Sequence, residues 1–247
     1  MKLSNCTVFE CEVNNSTMKE TLDVITHRIN NSIFTQHCVV NVAKIVNMQS
    51  DQRLKESVTS CDVVNIDGMG VVWGGRLLGC NIPERVAGID LYSELISLAA
   101  DNSWPVYFLG ASDNIVRSVV EIEQSRHPDL IVAGFNHGYF GEDEKPVVED
   151  IRNSGARLLF VAITSPKKEN FINKWKGQLN VDFVMGVGGT FDVIAGKVNR
   201  APVWMQKSGL EWLYRVLQEP KRMAKRYFVT NSMFILLCFK ARFNKIR

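Results

Sequence analysis

Six short apolar runs, separated by stretches with helical spacing, are the feature that most limits the folds open to this chain. The runs are rich in β-branched residues and lie near Cys38–Val42, Asp62–Ile66, Val106–Gly110, Leu130–Gly134, Leu158–Ile163 and Phe183–Val187. Between them, Ile115–Ser125 and Lys167–Leu179 repeat apolar residues at the spacing of a helix face. Strands that alternate with helices predict an α/β fold, with a Rossmann-like, mostly parallel sheet and helices on both of its faces.

The strand pattern stops at about residue 196, and the charge balance changes there too. Residues 197–247 hold twelve lysines and arginines against two acids, Glu211 and Glu219, whereas residues 1–196 carry a net negative charge. Such a split is typical of an acidic body with a basic part that meets an anionic partner. We therefore predict an α/β catalytic domain over 1–196 and a basic helical, membrane-associating appendage over 197–247.

Helix signals account for most of the appendage. Pro202 suits a helix start, Trp204–Leu217 has the spacing of one amphipathic helix, and Pro220 opens another helix toward Tyr227. Basic and aromatic side chains alternate along these segments, which suits a membrane interface, while arginines also bind diphosphates. A solvated basic face on packed helices is the plainer alternative, and no nucleic-acid motif supports binding of nucleic acid.

Membrane-spanning and secretory segments are not expected. The longest late apolar run, Met233–Phe239, has seven residues, whereas a bilayer-spanning helix needs about 18. The N-terminus has Glu10 and Glu12 in place of the apolar stretch of a signal peptide. The sequence thus predicts a cytoplasmic protein held peripherally on the inner face of the plasma membrane.

The six cysteines form no CxxC or CxxH pair. They are Cys6, Cys11, Cys38, Cys61, Cys80 and Cys238. Free thiols in a reducing cytoplasm are favoured over a disulfide or metal framework, because several of these residues lie within apolar runs.

Unusual residues follow each predicted strand, where ligands collect in parallel sheets. These positions are Asn41, Asp67-Gly68, Gly110–Ser112, Gly134–Phe140, Thr164–Pro166 and Gly186–Gly189. Asp67 emerges from a buried strand and is placed to act as a general base, or to cap the helix that follows, and its position alone leaves both roles open.

The turn at Gly186–Asp192 offers backbone N–H groups to phosphate oxygens. It lacks GxGxxG spacing and the lysine of a P-loop, so an NAD-dependent oxidoreductase is disfavoured. In the loop at His137–Phe140, Tyr139 and Phe140 either stack on a ring or pack in the fold. The four histidines are scattered and no DxD pair occurs, so we expect neither a catalytic metal nor any other cofactor.

Over roughly residues 38 to 228, ordered motifs make the sequence similar to the WecG/TagA/CpsF glycosyltransferase family. The motifs are Asp67–Trp73, Pro83–Asp90, His137–Phe140, Pro166–Glu169, Gly186–Asp192, Arg200–Pro202, Gly209–Arg215 and Glu219–Arg222. The resemblance implies an inverting, metal-independent transfer of a sugar of N-acetylmannosamine type or related. The donor would be a UDP-sugar, and the acceptor an undecaprenyl-diphosphate-linked sugar used in bacterial surface or exopolysaccharide synthesis.

Roles for single residues also follow from the resemblance. Asp67 would be the general base that takes the acceptor hydroxyl proton while the oxygen attacks C1 and UDP departs. Further catalytic candidates are Asn41, Arg85 and Lys168, and candidates for UDP binding are Tyr139, Gly186, Gly188, Asp192, Arg215 and Arg222. Val39 stands where the family has threonine and Lys168 where it has glutamine, which leaves the donor sugar open.

One alternative function and the oligomeric state remain open at this stage. The protein could instead be a non-catalytic nucleotide- or nucleic-acid-binding module, because such a module would use the same positive charges of the tail. The sequence does not fix the oligomeric state, and a homo-oligomer is compatible with it.

Overall fold

A sheet of six parallel strands is the centre of the structure, a computed structural model that describes residues 3–244 without the side chains of Arg222, Phe243 and Asn244. In chain order the strands are β1 (Asn5–Val8), β2 (Cys11–Asn14), β3 (Thr35–Val40), β4 (Val63–Ile66), β5 (Val106–Gly110), β6 (Val132–Asn136), β7 (Leu158–Ala162) and β8 (Phe183–Gly186). The six-stranded sheet has the order β4-β3-β8-β7-β5-β6, and β1 and β2 form a separate antiparallel hairpin. The predicted α/β class is confirmed.

Twelve helices occur within the described part of the chain. They are α1 (Met18–Asn30), α2 (Val42–Asn47), α3 (Gln52–Thr59), α4 (Met69–Leu77), α5 (Gly88–Asp101), α6 (Asp113–Arg126), α7 (Lys145–Asn153), α8 (Lys167–Trp175), α9 (Thr190–Ile194), α10 (Val203–Lys207), α11 (Glu211–Gln218) and α12 (Pro220–Asn244).

Both faces of the sheet are buried because consecutive strand residues point to opposite sides. On one face, Phe108, Phe160 and Met185 pack against α1, α5, α6 and α9. On the other, Leu159 and Val161 pack against α7 and α8. Strands covered on both sides read as continuous apolar runs, which explains why β5 and β7 are visible in the sequence.

A third apolar cluster covers the edge formed by β3 and β4. It joins the β1–β2 hairpin, α2, α3 and α4 to Phe234 of α12, which is 5% exposed. The ring of Phe234 lies so close to Gly74 of α4 that a Cβ there would be 2.8 Å from it. The C-terminal helix is therefore anchored in the core of the sheet domain by at least one large side chain.

The segment 203–218 differs from the prediction of one helix over Trp204–Leu217. It forms two helices, α10 and α11, that are separated at Ser208–Leu210. Gly209 has a φ of +75°, and a Cβ at this position would lie 2.9 Å from the Cβ of Met69. A left-handed glycine pressed against α4 ends α10 and reorients the chain, which apolar spacing alone does not indicate. The predicted start at Pro220 is confirmed, but α12 extends far beyond Tyr227.

The expectation of free thiols is wrong for Cys6 and Cys80, whose sulfur atoms are bonded in a disulfide between the hairpin and the end of α4. It holds for Cys11, Cys38, Cys61 and Cys238. The partners are 74 residues apart, and the sequence contains no spacing that pairs them. None of the helices within residues 3–244 has both the length and the apolarity that a membrane crossing requires.

Candidate active site

The ends of three adjacent strands form one edge of the candidate site. Asn41 follows β3, Asp67 follows β4 on one side of it, and Gly186–Gly188 end β8 on the other side. Neighbouring strands lie about 4.8 Å apart, so the ends of β4 and β8, with β3 between them, are separated by roughly 10 Å. Sequence reasoning placed these residues at strand ends, and the sheet order brings those ends together.

Asp67 is held by backbone contacts on both sides. Its N–H donates to the carbonyl of Val40 at 2.8 Å, which continues the β3–β4 ladder by one residue. Its Oδ2 accepts a 3.3 Å hydrogen bond from the N–H of Gly88, the first residue of α5. The alternative that Asp67 caps the helix after it is therefore wrong, because α4 begins after Gly68 and the carboxylate faces α5 instead.

Gly68 permits this arrangement. Its φ of +131° lies in a region that residues with a Cβ rarely adopt, and it is followed directly by α4. The chain thus turns sharply after Asp67, and the carboxylate is left half-buried beside α5.

The surroundings of Asp67 make its carboxyl harder to ionise than that of an exposed aspartate. Burial raises the pKa of Asp67 above the usual range, and the Glu211 carboxylate raises it further. The guanidinium groups of Arg85 and Arg215 and the hydrogen bond from Gly88 lower the pKa and offset part of this effect. A carboxylate with a raised pKa is a stronger proton acceptor than an ordinary surface aspartate.

Helix α11 brings charged side chains to this carboxylate. Arg85 Nη1 donates to Glu211 Oε2 at 2.8 Å, and these side chains are only 13% and 18% exposed. Arg215 Nη2 lies 3.3 Å from Glu211 Oε1, one helical turn along α11. Burial would raise the pKa of Glu211, but the hydrogen bond from Arg85 and the charges of Arg215 and Arg85 outweigh it and hold that pKa below its usual range.

Arg200 adds a third guanidinium group. It binds Asp90 of α5 with two hydrogen bonds of 2.5 and 2.8 Å, and it also interacts electrostatically with Asp67 and Glu211. The fork of an arginine matches a carboxylate in this bidentate geometry. The C-terminal segment is therefore fixed to α5 as well as to Arg85.

Asn41 has a structural partner in addition to its place in the site. Its Oδ1 accepts a 3.0 Å hydrogen bond from the N–H of Lys44, so it caps α2. Its Cβ lies 3.8 Å from the position that a Cβ on Gly68 would occupy. The side-chain amide nitrogen remains as a donor next to the Asp67-Gly68 turn.

Lys168 lies elsewhere, in a buried group of charges. Its ammonium is 2.6 Å from Glu169 Oε1, which is also 2.8 Å from the ammonium of Lys44. Lys44 contacts the sulfur of Cys38. The next residue, Val39, packs near Gly88 and Asp67. Because successive strand residues point to opposite faces, Cys38 and the buried charges lie on the face of the sheet away from Asp67. The structure therefore separates Lys168 from Asp67, although the sequence grouped them.

Opposing effects set the ionisation of this buried group. Burial and the charge of Lys44 lower the pKa of Lys168. Burial would raise the pKa of Glu169, but the two lysines dominate and lower it to about 2. Glu169 is therefore the ionised centre that both ammonium groups share.

The candidate nucleotide-binding residues occupy different environments. Gly188 has a φ of +56°, and nothing lies within 4 Å of the position of a Cβ, so its backbone is accessible to a ligand. Asp192 of α9 forms a 3.1 Å ion pair with Lys197. Gly186 instead packs under the aliphatic chain of Lys168. A Cβ on Gly186 would lie 2.9 Å from the Cε of that lysine.

Tyr139 lies on the loop after β6 and is 78% exposed. Its neighbour Gly138 rests against Gly110 and Ile163, so this loop covers the ends of β5 and β7, not that of β4. No hydrogen bond joins Tyr139 to Asp67 in the described structure. The backbone of Arg222 lies in α12, but its side chain is outside the described part, so its predicted role stays a prediction.

Glu211, Arg200 and Asp90 are site residues that sequence reasoning did not select. Glu211 carried a usable signal, because it is one of two acids in the basic segment and stands four residues before Arg215. Oppositely charged residues at that spacing meet on one helix face. The pairing of Arg85 with Glu211 spans 126 residues and had no such local signal.

The arrangement can accept a proton and bind an anion at neighbouring positions. Asp67 supplies a carboxylate of raised pKa, and Arg85, Arg200 and Arg215 supply positive charge beside it. Among the described residues, no three His, Cys, Asp or Glu side chains are grouped so as to hold a metal ion. The expectation that no metal takes part stays a prediction.

Comparisons with known proteins give independent information on this chain. The sequence model of the Glycosyl transferase WecG/TagA/CpsF family matches residues 6–247. A protein of Bacillus spizizenii strain W23 is 34% identical over 170 residues, which cover 69% of this chain and 66% of that protein. One of Bacillus subtilis strain 168 is 33% identical over 172 residues, which cover 70% and 67%. Both carry the name N-acetylglucosaminyldiphosphoundecaprenol N-acetyl-β-D-mannosaminyltransferase, and the matches span about two thirds of each.

Proposed function

The chain belongs to the WecG/TagA/CpsF family of glycosyl transferases, and we propose that it moves a sugar from a UDP-sugar onto the sugar of an undecaprenyl-diphosphate-linked acceptor. The donor is an N-acetylmannosamine-type sugar or a related one. The names of the two Bacillus relatives support this proposal, since they specify an N-acetylmannosaminyl group and a diphosphoundecaprenol acceptor. The product belongs to the synthesis of a bacterial surface polysaccharide.

The observation that carries the mechanism is the half-buried carboxylate of Asp67 beside a group of arginines. In the proposed reaction Asp67 takes the proton of an acceptor hydroxyl, and the acceptor oxygen forms a bond to C1 of the donor sugar. The bond from C1 to the diphosphate breaks at the same centre, its electron pair leaves with UDP, and the configuration at C1 inverts. The hydrogen bond from Gly88 orients one carboxylate oxygen and leaves the other for the acceptor.

In this proposal, arginine side chains stabilise the leaving group. Negative charge develops on the diphosphate as the bond to C1 breaks, and fixed positive groups lower the energy of that state. Arg85 and Arg215 meet at Glu211 within the electrostatic reach of Asp67. These side chains would bind the diphosphate without a bridging metal ion. Backbone N–H groups around Gly188 are a second candidate contact for the phosphates.

Attachment to a membrane surface is proposed for α12. This helix exposes Phe228, Met233, Ile235, Leu236 and Phe239, each by half or more of its surface, while Phe234 faces the core. Exposed basic residues, Lys221, Lys225, Arg226, Lys240 and Arg242, lie on the same helix. Apolar and basic side chains on an exposed helix are typical of an interfacial helix on anionic lipid. A lipid-linked acceptor would be met at that surface.

A transfer assay tests the proposed function. A panel of UDP-sugars is incubated with a short-chain polyprenyl-diphosphate N-acetylglucosamine, with EDTA in one series and a divalent cation in the other. The proposal predicts transfer from at least one UDP-N-acetylhexosamine, at a rate that EDTA leaves unchanged. Absence of transfer from every donor, together with absence of UDP binding, would reject it. Strong, salt-dependent binding of single-stranded DNA in that case would favour the non-catalytic module.

A further inference from the structure

Glu211 connects the C-terminal helix α11 to the sheet domain at the candidate site, through its contact with Arg85. One of its oxygens binds Arg85, which precedes α5, and the other lies near Arg215 of α11. We propose that Glu211 is a positioning residue, which holds Arg85 and Arg215 together beside Asp67 and so assembles the diphosphate site when α11 docks. This inference rests on the proposed function for its ligand, but its structural part can be tested without that ligand.

Electrostatics give the reason for such a residue. Two guanidinium groups repel each other, and the repulsion is stronger where they are shielded from water, as Arg85 is. Asp90, another acid of the site, is occupied by the bidentate contact with Arg200. A carboxylate placed between Arg85 and Arg215 offsets their repulsion in the protein without substrate.

The local backbone fixes where this carboxylate lies. Glu211 is the first residue of α11, directly after the turn at Gly209 and Leu210 that packs against Met69 and Trp73 of α4. An acid in the first turn of a helix is also favoured by the helix dipole. Arg215 stands one turn further along the same helix face, so α11 carries both side chains.

The consequence is preorganisation of the anion site. Without Glu211, part of the binding free energy of a diphosphate would be used to bring the two arginines together and to dock α11. The affinity for the diphosphate would therefore be lower. With Glu211 present, the arginines already stand beside Asp67 before the ligand arrives. Glu211 itself contacts neither reacting atom in this proposal.

A double-mutant cycle tests the structural part. The variants are Arg85→Ala, Glu211→Ala and the double variant, and the measurement is the unfolding equilibrium in urea. We expect the effect of the double substitution on the unfolding equilibrium constant to differ about threefold or more from the product of the two single effects, as for contacting charges that are mostly buried. The exposed pair Asp113–Arg117, whose side chains are 49% and 57% exposed, is the matched control and should couple more weakly. Additive effects at Arg85 and Glu211 would overturn the inference.

UDP binding, measured by calorimetry, tests the functional part. Glu211→Ala should raise the Kd for UDP about fivefold or more, because the charge-assisted contacts that hold the arginines are lost. Glu211→Asp keeps the charge and should recover part of the loss, while Glu121→Ala, at an exposed position of α6, should bind UDP as wild type does. If Glu211→Ala binds UDP equally or more tightly, Glu211 competes with the diphosphate and the inference fails alone. If the wild-type chain does not bind UDP, the proposed function fails first.

Discussion

Asp67 accepts a hydrogen bond from the backbone N–H of Gly88 through only one of its two carboxylate oxygens, at 3.3 Å. Gly88 is the first residue of α5, so the carboxylate faces the positive end of a helix across the strand ends. This contact fixes the orientation of a side chain whose own strand has already ended. The free oxygen points to the role of proton acceptor that we propose, and the following predictions test that role and its surroundings.

The pH dependence of transfer should report the environment of Asp67. The pKa of Asp67 is raised above 3.8 by burial, so the acid limb of kcat/KM should lie above the usual range of an aspartate. Activity falls as pH is lowered through that pKa, because the protonated carboxyl cannot accept a proton. A profile with no acid limb down to pH 4 would contradict this. Binding of UDP at each pH serves as the control for loss of the fold.

Asp67 should also lower the stability of the protein at neutral pH. A carboxyl whose pKa is raised in the folded state stabilises the fold below its unfolded pKa, and this contribution is lost as pH rises through the folded pKa. Asp67→Asn should therefore have a Tm at pH 7 equal to or higher than that of wild type. Thermal unfolding at pH 7 and pH 4 measures the difference, which should be smaller or reversed at pH 4. A large loss of Tm at pH 7 would show that the ionised carboxylate is required by the fold.

Gly209 should be needed for the docking of α11. Alanine at this position must adopt a φ of +75°. Its Cβ would lie only 2.9 Å from Met69 and 3.0 Å from Trp73, closer than ordinary van der Waals contact. We expect Gly209→Ala to lower the free energy of unfolding by about 1–3 kcal/mol and to weaken UDP binding. Gly177→Ala is the matched control, since nothing lies within 4 Å of a Cβ there. Equal stability of the two variants would contradict this account of the turn.

The buried charges around Glu169 should respond unequally to neutralisation. Glu169→Gln leaves the ammonium groups of Lys44 and Lys168 without their shared counter-charge and should cost about 3–5 kcal/mol in unfolding free energy. Lys168→Gln keeps the Lys44–Glu169 pair and should cost much less. Because Lys168 is turned away from Asp67, its replacement should also leave the order of preference among UDP-sugars unchanged. A changed preference would place this lysine at the donor sugar.

Membrane binding should depend on the exposed basic residues of α12. Each lysine near an anionic surface contributes about 1 kcal/mol, so Lys225→Gln with Lys240→Gln should reduce partitioning into anionic vesicles roughly tenfold or more. Lys19→Gln, at an exposed position of α1, is the control and should have little effect. Wild-type partitioning of the double variant, or equal binding to zwitterionic vesicles, would contradict a role for these charges. Substitutions are preferable to truncation, because Phe234 of the same helix is part of the core.

The fold could be predicted from the sequence where burial is symmetrical. The predicted limits of Val106–Gly110 match β5, because a strand buried on both faces is apolar from end to end. The hairpin of β1 and β2 was missed, because its four-residue strands mix polar and apolar residues and have no strong periodicity. The break between α10 and α11 was missed because it depends on the φ of one glycine packed against a distant helix.

The candidate site was only half visible for a related reason. Asp67, Asn41 and Gly188 lie at strand ends, and the parallel sheet predicts that such ends share an edge. Which strands are neighbours is a tertiary property, and so is the separation of Lys168 from Asp67 by the sheet. The contacts of Glu211 with Arg85 and of Arg200 with Asp90 join positions more than a hundred residues apart, so only the folded chain reveals them.

The central claim is tested most directly by the turnover of Asp67→Asn with a UDP-sugar donor and a polyprenyl-diphosphate-linked acceptor. Loss of a general base should reduce kcat about 10²- to 10⁴-fold, while the Kd for UDP and the circular dichroism spectrum stay close to those of wild type. A kcat within a few-fold of wild type, from a variant that is folded and binds UDP, would contradict the role of Asp67 as the base.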